Sequence, residues 1–197
     1  MTEVEFLFDY GSPASYLAYT QMPGLAARTG AAILWRPILL GGIFKATGNH
    51  SPAEVPAKGA WIQADLARHA KRYAVPFRLN PFFPINTIRL MRGAVAMAEA
   101  GRLPAYSDAI YRALWVEARN LGEPEILRDT LAAAGFDPDS VLAAAETPDI
   151  KEALKLQTEA AIRRGVFGAP SFFVQGELFW GQDRLEFVEE ALRRAAS

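Results

Sequence analysis

The chain contains no cysteine. It cannot form a disulfide, present a thiolate nucleophile of its own or build a thiolate metal site. Disulfide exchange by the chain itself is thereby excluded. Histidine is scarce as well: His50 and His69 are too few and too far apart to suggest a metal centre, and no metal is expected. Charge of one sign is also missing. With 21 Lys+Arg against 22 Asp+Glu, the formal net charge of -1 gives no electrostatic reason to expect nucleic acid or an anionic membrane as partner. No apolar run reaches the roughly 20 residues that cross a bilayer. Met1-Thr2-Glu3-Val4-Glu5 lacks the basic start and long apolar core of a signal peptide, so a cytoplasmic location is expected.

What is present is a globular composition. A hydrophobic share of 51% beside 22% charged residues, over 197 residues, suits one domain with a sizeable core or one domain carrying a large insertion. No internal repeat, low-complexity tract or flexible linker interrupts it.

Val4 to Phe8 is rich in β-formers and reads as a buried strand. Gly11-Ser12-Pro13 then opens a helix to about Arg28, which Pro23 is expected to kink or divide. Ala32 to Arg36 is a second strand, ended by Pro37. Strand, helix and strand with such short links form a βαβ unit, so the strands should be parallel. Leu39 to Lys45 leads into a loop rich in Gly, Asn and Pro, from Ala46 to Pro52. Helices are then expected at 60–73, 86–100, 104–119, 124–134, 138–145 and 148–164, with a Pro/Phe-rich connector at 80–84. Ser171 to Trp180 reads as a hairpin turning at Gln175-Gly176. Asp183, with Glu186 three residues on, fits an N-cap and capping box for a last helix ending near Ala195. The order βαβ, helical block, ββα is an α/β, thioredoxin-like arrangement with a large all-helical insertion. Residues 1–41 and 165–197 form the thioredoxin-like domain and 42–164 the insertion.

Ser12 closes an apolar strand and stands at a helix N-terminus, where unpaired backbone N–H groups favour an anion. Ser12-x-x-Ser15 has the spacing of a Cys-x-x-Cys redox motif with oxygen in place of sulfur. A serine before proline is also the commonest kind of N-cap and needs no chemical role by itself. In thioredoxin-like folds a proline placed as Pro170 is, before the third strand, is cis and faces that helix N-terminus. It exposes the backbone of Ala169 to an extended peptide; an ordinary loop proline is the plainer reading. A helix N-terminus, a hydroxyl and a peptide-pairing backbone together suit a short peptide carrying a thiol, whose pKa of about 8.5 falls at such a site. Gly181-Gln182-Asp183-Arg184 offers N–H groups for a carboxylate and Asp183 for an ammonium, or simply a helix cap. Lys58 is able to hold a carboxylate or to be a solvated loop lysine. His69, in a Lys/Arg-rich stretch, reads as a surface residue, and Tyr106, Tyr111 and Trp115 as core.

Several segments together resemble one family. They are Ser12-Pro13-x-Ser15-Tyr16-Leu17, Arg36-Pro37-x-Leu39-Leu40-Gly41-Gly42-Ile43-Phe44-Lys45 with Gly48-Asn49, Val55-Pro56-x-Lys58-Gly59, Gly165-Val166-Phe167-Gly168-Ala169-Pro170 and Gly181-Gln182-Asp183-Arg184. In order and over nearly the whole chain, they resemble the 2-hydroxychromene-2-carboxylate isomerase and kappa-class glutathione transferase family of the DsbA-like thioredoxin group. The resemblance implies glutathione as cofactor. Ser12 would hydrogen-bond its sulfur as the catalytic residue, and Ala169, before Pro170, would pair with the cysteinyl backbone. Asn49 and Lys58 would lie near the glycyl end, and Gln182 and Asp183 would hold the γ-glutamyl group with Arg184 nearby. Phe83 and Asn86 would line the pocket for a small aromatic carboxylate. A homodimer is implied as well.

The activity so implied interconverts 2-hydroxychromene-2-carboxylate and trans-o-hydroxybenzylidenepyruvate in aromatic catabolism. The thiolate adds to the conjugated ring-opened substrate, the former double bond rotates, and loss of the thiolate restores the alkene. Two other readings share the scaffold: a kappa-like transferase that leaves a thioether, and a non-catalytic thiol- or peptide-binding module.

Overall fold

The computed structural model describes residues 2–196. A four-stranded sheet has the order β2-β1-β3-β4, with β1 (Glu3–Phe8), β2 (Ala32–Pro37), β3 (Ser171–Val174) and β4 (Glu177–Trp180). β1 runs parallel to β2 and antiparallel to β3, and β3 and β4 form the hairpin. The hairpin turns at Gln175 and Gly176, whose positive φ values of 47° and 87° match the twist of a two-residue turn.

β1 is central, so both of its faces are covered. Val4, Phe6 and Phe8 are buried on one side and Leu7 on the other. Phe6 stacks on its cross-strand partner Phe172 at 5.3 Å and meets Trp35 edge-on at 5.5 Å. The Phe6 face joins the main core with α1 (Pro13–Thr29) and α9 (Leu185–Ala195). The Leu7 face packs with Ile43 of α2 (Leu40–Thr47) and Ala161 of α8 (Pro148–Arg163). Between α2 and α8 in the chain come α3 (Pro56–Arg72), α4 (Ile88–Glu99), α5 (Leu103–Trp115), α6 (Pro124–Ala133) and α7 (Pro138–Ala145).

Four local expectations change. α1 runs on through Pro23: the fully buried Met22 and Leu25 beside it hold the helix together despite the lost N–H. Residues 40–47 form helix α2 rather than the lead into a loop. Its first N–H groups are capped from a distance, Leu40 N–H by Asp9 Oδ2 (2.8 Å) and Leu39 N–H by Thr158 Oγ1 (3.0 Å). α5 stops at Trp115, because the Asn80 side-chain amide donates to Leu114 O and Arg119 O and satisfies carbonyls there. Asp183 is not the cap of the last helix. It lies in a short 3-10 turn (Gln182–Arg184) and pairs with Arg184, while Glu186 pairs with Arg72, so no capping box forms.

Among the described residues, no helix is long and apolar enough to cross a membrane.

Candidate active site

The turn from Asp9 to Ser12 is held from below by the helical block. Trp115 Nε1–H donates to Tyr10 O (2.8 Å), and Tyr10 OH bonds Ser107 Oγ (2.8 Å). Asp9 is 1% exposed and accepts three hydrogen bonds: Oδ1 from Gly11 N–H (2.9 Å) and Thr87 Oγ1 (2.7 Å), Oδ2 from Leu40 N–H. Burial pushes its carboxyl above the usual range, and the three donors oppose that. One side chain therefore ties the β1–α1 turn to the starts of α2 and α4. Asp9 is not among the residues that the sequence motifs mark. The signal available was a charged residue placed between an apolar strand and a Gly-Ser-Pro turn.

Ser12 is the N-cap of α1. Its Oγ accepts from Ser15 N–H (3.1 Å), so the capping role is real. The same hydroxyl donates to Ala169 O at 2.9 Å. The Ala169–Pro170 peptide is cis, as expected for a proline facing the helix start, and Phe83–Pro84 is cis as well. Ser15 Oγ and Tyr111 OH are buried with no partner at hydrogen-bonding distance. Burial drives the Tyr111 phenol upward.

The loop before β3 has each carbonyl engaged. Phe167 O accepts from Asn49 Nδ2 (2.8 Å), Gly168 O from Ser171 Oγ (2.8 Å), Ala169 O from Ser12 and Pro170 O from Gly181 N–H (3.0 Å). The Trp180 indole covers Gly168 so closely that a Cβ there would meet Nε1 at 2.5 Å, and it packs on Phe167 at 5.1 Å. Ser12, Asn49, Ala169, Pro170 and the Gly181-Gln182-Asp183 turn are thus joined in one chain of contacts. Gln182 is 8% exposed, and its carbonyl accepts from Tyr73 OH (2.8 Å), a neighbour that the sequence did not single out.

Other expected residues make their contacts elsewhere. Lys58 is exposed, in the first turn of α3 rather than in a loop, beside Ala57, Trp61 and Ile62. Phe83 packs on Trp115 (6.0 Å), whose indole in turn holds Tyr10. Asn86 is exposed, and its Oδ1 accepts from Ile88 N–H at the start of α4. His69 is partly buried: its side chain is 16% exposed and lines a surface crevice with Arg72, Tyr73, Gln182 and Asp183. Tyr106, Tyr111 and Trp115 are core, each about 1% exposed.

The DSBA-like thioredoxin domain model matches residues 3–193. A 2-hydroxychromene-2-carboxylate isomerase from Sphingobium xenophagum is 35% identical, covering 96% of this chain and 97% of its own. The chain belongs to the 2-hydroxychromene-2-carboxylate isomerase family. A solved structure of such an isomerase superposes with a TM-score of 0.88 at 29% identity, covering 98% of this chain and 96% of that one. Human glutathione S-transferase kappa 1 is 28% identical over 96% of this chain and 90% of its own. DsbA from Pseudomonas aeruginosa shares the fold, with a TM-score of 0.60 at 20% identity over 99% of this chain and 85% of that one. The fold is the thioredoxin-like one with a large helical insertion.

Proposed function

We propose that the chain is a glutathione-dependent isomerase converting 2-hydroxychromene-2-carboxylate to trans-o-hydroxybenzylidenepyruvate through reversible thiolate addition. The observation that carries this reading is Ser12 Oγ–H, placed at the N-terminus of α1 and in contact with the residue before a cis proline, in a chain that has no sulfur nucleophile.

The residues present fit glutathione. Asp183 and Arg184 pair with each other, and on parting they would match the ammonium and the carboxylate of a γ-glutamyl end. Ala169 offers backbone for the cysteinyl residue, and exposed Lys58 offers a cation for the glycyl carboxylate. Asn49 has its side-chain amide on Phe167 O, so it supports the loop before β3, and it would serve the glycyl end of the ligand as well. Bound glutathione supplies the thiolate nucleophile that this chain lacks. Ser12 and the positive end of α1 would favour negative charge on a sulfur held beside them. The engaged loop carbonyls and the Asp9-held turn hold the backbone of the site in place, so that only the Ser12 hydroxyl has to turn. Phe83 and Asn86 are the proposed neighbours of the aromatic carboxylate.

The test is conversion of the chromene carboxylate by purified protein with and without glutathione. Glutathione-dependent formation of a sulfur-free isomer supports the reading, and no acceleration removes it. The kappa-class relatives favour one second reading, a transferase. A stable thioether as product would select it.

A further inference from the structure

A serine hydroxyl has one proton to give. In the structure that proton is committed to Ala169 O at 2.9 Å, while Ser12 Oγ accepts from Ser15 N–H at 3.1 Å. Ser12 can donate to a thiolate only by leaving Ala169 O. The other three carbonyls of residues 167–170 are served by Asn49, Ser171 and Gly181, none of which supplies the helix N-terminus donor. Ala169 is partly buried, so its carbonyl, left without a donor, carries the cost of a lost hydrogen bond. A thiol ligand without an N–H of its own therefore gains a hydrogen bond at sulfur and forfeits one at Ala169.

We propose, resting on the glutathione reading above, that Ser12 and Ala169 act together as a selector for N-acylated cysteinyl thiols. The Ser12 proton turns from Ala169 O to the sulfur only when the ligand's own amide N–H takes over that carbonyl. The hydrogen-bond count then closes: two bonds are made, one is broken and no polar group is stranded. A simple alkyl thiol lacks the replacement donor and leaves Ser12 where it is. The cofactor's peptide nature is thus coupled to activation of its sulfur, and the coupling resides in one hydroxyl.

The experiment compares glutathione with its depsipeptide analogue, in which the cysteinyl N–H is replaced by an ester oxygen of nearly the same size. Binding is followed by calorimetry, and the bound thiol is titrated by the ultraviolet absorbance of its thiolate, on the wild type and on Ser12→Ala. On the wild type, glutathione is expected to titrate below the free thiol value of about 8.5. The analogue is expected to bind about tenfold more weakly, the equivalent of one net hydrogen bond. Its bound thiol should titrate where glutathione's does on Ser12→Ala. An analogue that binds as tightly as glutathione, or whose thiol titrates equally low on the wild type, overturns the selector and leaves the glutathione reading intact. Failure of glutathione itself to bind overturns both. The wild-type comparison of the two ligands stands even if the variant folds poorly.

Discussion

The Ser12 hydroxyl donates to the carbonyl of Ala169, 157 residues away in sequence, at 2.9 Å. This contact joins the start of α1 to the cis-proline loop and makes one serine answerable to two ends of the chain. It also separates the two roles open to Ser12. A cap needs only the oxygen lone pair, whereas a thiolate partner needs the proton.

Ser12→Ala removes both. Loss of the cap and of the Ala169 donor is expected to cost about 1–2 kcal/mol of stability. Loss of a donor aimed at developing negative charge is expected to lower kcat by about a hundredfold. Urea unfolding and steady-state kinetics separate the two. A kcat that falls no further than the stability loss explains would leave Ser12 a cap alone.

Asp9→Asn puts an amide where three donors converge. Whichever way the amide is turned, its NH2 faces the N–H of Leu40 or of Gly11, and one buried backbone donor loses its acceptor. The expected loss is about 1–3 kcal/mol in urea unfolding. An unchanged midpoint would mean that the carboxylate is not the clasp between the turn and α2.

Gly168 is outside the left-handed backbone region, so alanine is allowed there by conformation; what opposes it is the Trp180 indole at 2.5 Å. Gly168→Ala is expected to cost about 1–3 kcal/mol through overpacking and to weaken glutathione binding. Adding Trp180→Ala should recover most of both losses. A double variant as impaired as Gly168→Ala would show that the ring is not the obstacle.

Glu189 links α9 to α1 through Arg28, and that guanidinium, with Arg193 second, holds its carboxyl down at about 2 from the usual 4.5. A lowered carboxylate pKa stabilises the fold above the unfolded value and is lost as pH falls toward the folded one. The melting-temperature gap between wild type and Glu189→Gln should therefore be constant above pH 4.5 and close between 4.5 and 2. A gap independent of pH would remove the ion pair from the account. The pair is exposed enough for salt to shrink its effect as well.

Much of the architecture was legible because its causes are local. Val4 to Phe8, Ser12-Pro13 and Gln175-Gly176 carry their strand, cap and turn in neighbouring residues. α2 was not legible: Gly41 and Gly42 lower its propensity, and its cap comes from Asp9 and Thr158, which lie 31 and 119 residues away. The end of α5 depends on Asn80 in the same way. Asp183 looked like a cap by spacing, but its carboxylate is taken by Arg184. At the site, residue types and the cis proline could be read in advance. That the Ser12 proton is already committed to Ala169 could not, because only the tertiary structure brings the two together.

The most direct test of the central claim follows 2-hydroxychromene-2-carboxylate with purified protein as glutathione is raised from zero. The account predicts no turnover without glutathione, saturable acceleration with it, a sulfur-free trans-o-hydroxybenzylidenepyruvate product and near loss of activity in Ser12→Ala. Turnover that ignores glutathione, or accumulation of a stable glutathione thioether, would contradict it.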